Sequence, residues 1–516
     1  MGNRPKAISL LLVLVLAVSL VGCSSGQKPA EKAPEKPVEQ PKQVKDSITI
    51  ALQGEPTTLD PQFADDGNMR AVTDNVFEGL LELDGQSLKP KTALAESYKS
   101  LNPTTWEFKL RTGVKFHNGE PLSADDVVFS VNRIVDPKFK SQIAGNFSSI
   151  KEARKVDDST VQIITNGPDP ALPVRLTLLK IVNKKAVEAA GEKVGTQPVG
   201  TGPYKVTAWN RGVSISVEAF DGYWGPKPSI KKATYRFIQE GSTRLSALKA
   251  GEIDLAVNML PEYAKELPKV ATADGLEFPL IRLNQFKGVM KNKLLRLAVN
   301  YAVDKETIAK TLFGGYATVA QGQLFKPGYV GFNPNLKPYP YDPNKAKELI
   351  KQSGYKGEKI ELIAERGRWL KDGELAEAVS MMLRDVGLNV ELKYYDWQEW
   401  LKTLFNRERA PDMMYSSHGN EMFDADRTFS SLIHSKGPMS SYLNPDLDKK
   451  IDAARTEMDP AKRQKMYEEI GQAIYDDPAF IFLVNLKDIY GLSKSLEWTP
   501  RQDSRIILSE MKIVNQ

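Results

Sequence analysis

The chain has 516 residues and a formal net charge of +5, with 41% hydrophobic, 26% charged and 9% aromatic residues. These fractions exclude disordered, collagen-like and polytopic membrane classes, and 70 basic against 65 acidic residues leave no basic stripe of the kind nucleic acid requires. A single cysteine excludes an intrachain disulfide, so packing alone must hold the fold.

Arg4 and Lys6 precede an almost unbroken apolar run over 8–21. The run is shorter than the ~20 residues of a spanning helix and reads as a secretory signal. It ends in Leu20-Val21-Gly22-Cys23, which resembles the lipobox of bacterial lipoproteins. That resemblance implies cleavage before Cys23 and diacylation of its thiol, a stable membrane anchor. Pro29, Pro34, Pro37 and Pro41 follow among Lys, Glu and Gln, so 24–46 forms a solvated tether of up to about 70 Å. The expected plan is a signal peptide over 1–22, a lipidated cysteine and tether over 23–46, then a globular body outside the cytoplasmic membrane.

From residue 47 strands and helices alternate. The segment 47–52 reads as a strand, broken by Gly54-Glu55-Pro56. Trp106, Phe108 and Leu110 alternate with Glu107 and Lys109 as a half-buried strand. Ser123 then caps a helix with Asp125 and Asp126 in its first turn. Further strands are expected over 161–164, 204–207, 214–219 and 233–238, and helices over 294–303 and 344–351, the latter capped by Asn344. Between 359 and 394 the pattern is strand, helix, strand. In its helix Leu375, Ala378, Val379, Met382, Leu383 and Val386 share one face, and Gly387 ends it. Such a crossover makes its two strands, 360–364 and 389–394, parallel. A further strand spans 412–416. The mixture, with no short repeat, predicts an α/β architecture in more than one lobe.

Ligands of open α/β sheets bind beyond the carboxyl ends of the parallel strands. One such end leads into Glu365-Arg366-Gly367-Arg368-Trp369. Another leads into the loop 417–426, which carries His418, Glu421, Asp424 and Asp426. Guanidiniums on one loop and carboxylates on the other suit a small molecule bearing both charges. Solvated loop charge, or ion pairs tying one loop to the other, fits the pattern equally well.

Several stretches resemble the family of extracellular solute-binding proteins that serve ABC importers of peptides and nickel. They are Trp106-Glu107-Phe108-Lys109-Leu110-Arg111-Thr112-Gly113-Val114-Lys115-Phe116-His117-Asn118-Gly119 leading to Ser123-Ala124-Asp125-Asp126-Val127, then Pro198-Val199-Gly200-Thr201-Gly202-Pro203-Tyr204, Gly222-Tyr223-Trp224, Leu248-Lys249-Ala250-Gly251-Glu252-Ile253-Asp254 and Tyr341-Asp342-Pro343, in the family's order. The resemblance implies a two-lobed clamshell of type II with an extra subdomain. Lobe I would cover 47–283 with that subdomain at about 87–199, lobe II 284–480, and 481–516 would return to lobe I. It implies a monomer that closes on a short peptide and delivers it to a membrane permease and its ATPase, without cofactor or chemistry. Arg366, with Arg368 close behind, would take the peptide carboxylate. Glu421 would take the ammonium, and His418 stands where relatives carry tryptophan. Trp369 and Asp424 complete the expected ligand-binding set, and no metal ligand is expected.

Two rivals are weaker. No H-E-x-x-H, G-x-S-x-G, P-loop or C-x-x-C motif supports an enzyme, which leaves only a carboxylate-dependent hydrolase. A nickel or metal-chelate carrier would use His418 or His434 beside Arg366, although one imidazole rarely suffices without further ligands.

Overall fold

Three large sheets and two two-stranded ones carry the chain in this computed structural model, whose described residues are 45–64 and 66–514. The signal segment, Cys23 and all of the tether but its last two residues lie outside them. Among the described residues no helix is long and apolar enough to cross a membrane.

An eight-stranded sheet runs in the order Lys269–Asp274, Val484–Leu492, Leu255–Ala256, Ser47–Leu52, Lys232–Phe237, Ser214–Ala219, Tyr204–Asn210, with Ala317–Val319 paired to the second of these. A four-stranded antiparallel sheet, Ala95–Asn102, Thr105–Leu110, Thr160–Thr165 and Ile150–Lys155, forms a smaller unit beside it. The third sheet has five strands in the order Val390–Tyr394, Ile360–Ala364, Met413–His418, Phe278–Leu283, Phe480–Phe482. The predicted crossover is present there. Ile360–Ala364 pairs in parallel with both Val390–Tyr394 and Met413–His418. Between the first two strands the helix Asp372–Asp385 buries Leu375, Ala376, Val379 and Leu383 against the sheet. Gly387 at φ +96° turns the chain back, a conformation that an L side chain rarely adopts.

Several signature stretches of the sequence are packing devices that meet one another. His117 Nε2 lies 2.9 Å from the Gly202 carbonyl, and its backbone N–H donates to Gly200 O at 2.9 Å. A β-carbon at Gly200 or Gly202 would collide with the backbone of Asn75 and Val76, so only glycine allows this approach. Tyr223 Oη and Trp224 Nε1 each donate to Glu78 at 3.0 Å, and the Arg111 guanidinium lies 4.6 Å from the Trp224 ring centre. Burial pushes the Glu78 carboxyl up to about 7. Ser123 caps the helix Ala124–Val135 as the sequence predicts, and with Asp126 it forms a reciprocal capping box.

One predicted cap is corrected. The helix Pro343–Ser353 is capped by Asp342, whose carboxylate accepts from Lys345 N at 2.8 Å, and not by Asn344. Proline lacks an N–H and fits the first helical position, which moves the cap one residue ahead of it.

Two strands pass side by side from one large sheet to the other. Lys269–Asp274 belongs to the eight-stranded sheet and Phe278–Leu283 to the five-stranded one, while Phe480–Phe482 and Val484–Leu492 make the same change in reverse. Gly275 N donates to Leu486 O and Leu486 N donates to Glu277 O, at 3.0 and 3.4 Å, tying the crossings together. The change of sheet thus falls at 275–277, ahead of the expected boundary at 284, because the buried run Phe278–Leu283 already pairs with Met413–His418.

Candidate functional site

The register puts the two predicted loops at one edge. Phe278 lies opposite His418, so Glu277, just before Phe278, stands at the carboxyl end of Met413–His418 and beside the crossing strands.

The first loop follows Ala364. Its backbone is held by Asp372, whose carboxylate accepts N–H bonds from Gly367, Arg368 and Trp369, each at 2.9 Å. Trp369 meets Trp400 and Trp397 edge-on at 5.3 and 6.0 Å, and those two rings stack on each other at 5.1 Å. Trp400 is the fully buried member, which fits the core reading of that pair. The Arg368 guanidinium lies 4.9 Å from the Trp397 ring centre and offsets part of the burial that raises the Glu277 carboxyl. Arg366 and Arg368 are both exposed, but Arg366 has other partners. Its exposed side chain pairs with Glu377 at 2.7 Å and covers the Tyr394 ring at 4.2 Å.

In the second loop, Ser417 Oγ donates to Glu277. His418 is buried, with Nε2 at 2.9 Å from Thr428 Oγ1, and burial followed by Arg427 and Arg282 drives its pKa down to about 3. Glu421 pairs with Arg427. Asp424 caps the short helix Ala425–Thr428 and grips Arg463 through both oxygens, at 2.6 and 2.8 Å. Asp426 is held by Arg455 at 2.7 Å and by Arg175 at 2.5 Å. Asp424 and Asp426 are thus ion-paired, but to arginines outside both loops, not to the Arg366 and Arg368 of the first loop as loop-to-loop pairing would have it. Arg368 and Glu421 lie near Glu277, whereas His418 is buried against Thr428 and Arg366 and Asp424 face other partners.

The sequence reading did not single out the charged residues on and beside the crossing strands. Glu277 and Asp488 keep part of their surface open, yet burial raises both carboxyls. Ser504 Oγ donates to Asp488 at 2.5 Å and Tyr490 Oη at 3.4 Å. Lys326 Nζ donates to Gly275 O and lies 4.7 Å from the Phe278 ring centre, its pKa lowered to about 8 by burial against the pull of Asp274, Asp488 and Glu277. Arg70, from the helix Gly67–Val76, acts on both carboxyls. No local signal marks Asp488, since Asn485 and Lys487 precede it in the same strand. Among the described residues no group of three or more His, Cys, Asp or Glu stands ready to hold a metal.

A cavity of about 590 Å³ opens beyond the second loop. Asn146, Ser148 and Arg175 line it from the side of the four-stranded sheet, and Asp426, Arg427 and Lys436 from the other. None of the six predicted ligand residues lines it. Its volume suits a ligand of a few amino-acid residues.

Comparison with known proteins agrees with this architecture. Residues 89–440 match the model of the bacterial extracellular solute-binding proteins, family 5. The glutathione-binding protein GsiB of Pectobacterium atrosepticum is 29% identical over 470 residues, 88% of this chain and 91% of that protein. The periplasmic binding protein DppA of Helicobacter pylori, solved with the peptide STSA, superposes with a TM-score of 0.75 at 25% identity, covering 91% of this chain and 98% of that one. NikZ of Campylobacter jejuni, solved with Ni(L-His), gives 0.75 and 25% over 91% and 99%. These relatives are binding proteins of two lobes, and the two large sheets joined by paired crossing strands have that form. The chain belongs to the bacterial extracellular solute-binding proteins, family 5, the ligand-capturing components of ABC importers.

Proposed function

We propose that this protein captures short peptides between its lobes and hands them to a membrane permease, tethered to the outer face of the membrane through lipid on Cys23. The observation that carries the reading is the meeting of opposite charges at one sheet edge. Arg368 comes from the loop after a parallel strand, and Glu277, Glu421 and Asp488 come from the crossing strands and the second loop. A zwitterion entering there finds a guanidinium for its carboxylate and carboxylates for its ammonium. Arg368, with Arg366 behind it, takes the carboxylate. Glu421 and Glu277 take the ammonium, Glu421 exchanging its bond to Arg427 for one to the ligand. His418 and Trp369 shape the wall, and Asp424 keeps the second loop in place. Glutathione, which names the relative GsiB, is itself a small peptide with charges of both signs.

In this reading lobe I comprises the eight- and four-stranded sheets, lobe II the five-stranded sheet with its helices, and the crossings at 275–277 and 483 are the hinge. Native mass spectrometry of residues 24–516, purified without added ligand, tests the assignment. Bound masses of two to five residues support it, and calorimetry with dipeptides, tripeptides and glutathione then ranks the length class. A bound nickel or nickel–histidine mass overturns it.

A further inference from the structure

One helix organises a wall of the cavity of about 590 Å³ beyond the second loop. In Pro445–Thr456, Asp448, Asp452 and Arg455 fall on one face at helical spacing. Asp448 accepts from the backbone N–H of Ser435 at 2.8 Å and from its hydroxyl, and Asp452 lies 3.4 Å from His434 Nε2. Arg455 Nε donates to Asp426 at 2.7 Å. This face therefore fixes the loop 434–437, and Lys436 with it, against the same cavity as Arg455.

The acceptors of the lining are committed, and several donors are not. Asp426 gives one oxygen to Arg455 and the other to Arg175. Arg175 and Arg427 also pair with Asp169 and Glu421, which do not line the cavity. Among the described residues Lys436 Nζ, both Nη atoms of Arg455 and Asn146 Nδ2 have no hydrogen-bond partner, although all three residues line the space. They are open to an entering molecule: Lys436 is exposed, and the Arg455 side chain is 43% exposed. Ser148 and Ser431 add hydroxyls to the lining. A carboxylate, with its charge and about four acceptor sites, satisfies such a set. A cationic group finds only Asp452, which already stands beside His434.

The cavity adjoins the peptide site through Arg427, which lines it and pairs with Glu421, the residue given to the ligand ammonium above. We propose that the cavity receives an acidic side chain near the ammonium end of the bound peptide, its carboxylate held by Lys436 and Arg455, so that the protein prefers acidic short peptides. The inference rests on the peptide reading and adds to it the class of peptide.

The test uses residues 24–516 and three pairs of tripeptides, each pair carrying Glu or Gln at the first, second or third position and alanine elsewhere. Titration calorimetry should show the Glu form bound about tenfold more tightly at the first or second position, the size of one hydrogen bond to a charged group. In the double variant Lys436→Gln, Arg455→Gln that ratio should fall to within about twofold, whereas Arg455→Lys, which keeps the charge, should retain most of it. The ratio is read within one protein, so a general loss of affinity does not move it. If the double variant does not fold, Lys436→Gln alone, at an exposed position, carries the comparison. Equal affinity for Glu and Gln at every position, or a preference confined to the third, overturns the acidic subsite and leaves the peptide reading standing. An undiminished Glu preference in the variant places the carboxylate elsewhere and overturns it too. Binding of none of the six peptides overturns both.

Discussion

Arg366 and Arg368 are two residues apart, yet they meet different surroundings, and affinity should separate them. The Arg366 side chain lies in solvent on the Glu377 carboxylate, where an exposed pair contributes about 0–1 kcal/mol. The Arg368 side chain is exposed too, but its guanidinium sits against the Trp397 ring and acts on Glu277 at the crossing. If Arg368 grips the ligand carboxylate, Arg368→Ala leaves a desolvated anion unpaired and weakens peptide binding by roughly 2–5 kcal/mol. Arg366→Ala should cost about 1 kcal/mol or less. Titration calorimetry on the two variants checks this, and an equal loss in both would show that the loop rearranges on binding. His418 gives a second prediction at this scale, one of stability. Its folded pKa, near 3, lies below the ordinary histidine value of about 6.5. Stability is therefore level above pH 6.5 and falls as pH drops towards 3, because the unfolded ring takes up a proton that the native ring refuses. Between pH 7.5 and 4.5 this group should cost the wild type on the order of 2–3 kcal/mol more than it costs His418→Gln, which keeps a nitrogen for Thr428. Urea melts at the two pH values provide the comparison.

At the scale of the element, the loop that presents Arg368 depends on one carboxylate. Asp372 Oδ1 accepts from Gly367 and Oδ2 from Arg368 and Trp369, at the start of the helix Asp372–Asp385, while Lys371 before it adopts a left-handed conformation with φ +53°. Asp372→Ala should remove about 3 kcal/mol of stability and lower ligand affinity more than tenfold, since the loop loses all of these acceptors at once. Asp372→Asn keeps one carbonyl oxygen and should lose about half as much. Thermal melts with calorimetry would show it, and a stable, tightly binding Asp372→Ala would mean that Trp369 and its aromatic neighbours hold the loop alone. The helix itself was legible in the sequence, because Leu375, Val379 and Leu383 repeat at helical spacing and Gly387 marks its end. Its parallel flanking strands followed from connection length. The crossing strands were less legible, since Phe278–Leu283 is buried along its whole length, Arg282 included, and so shows no alternation that announces which sheet it joins. Glu277 and Asp488 escaped for a related reason: their neighbours Ser417, Lys326 and Arg70 lie far away in sequence and meet them only through the fold.

For the whole molecule the contacts that join the lobes decide how tightly a ligand is held. Arg175, in the short helix Leu172–Leu176 beside the four-stranded sheet, reaches Asp426 beyond the five-stranded sheet, and both side chains are buried. A second tie, Lys371 to Glu262 at 3.4 Å, is half exposed on its acidic side. A bond that exists only while the lobes are together adds its free energy to the closed state, so removing it lowers the closed population and weakens every ligand that needs closure. Asp426→Asn keeps the shape while taking the charge from Arg175, which retains Asp169 at 3.0 Å and so does not become a stranded cation. The ligand should still enter at nearly the same rate, since entry meets the open form. Its release should quicken about tenfold, the size of one lost charge-assisted bond of 1.4 kcal/mol. Lys371→Ala, at the more exposed tie, should change release less than threefold. Stopped-flow measurements on both variants would separate the two ties. An unchanged release rate in Asp426→Asn would mean that ligand contacts alone hold the lobes shut, and that Arg175 serves only to order the segment around Asp426.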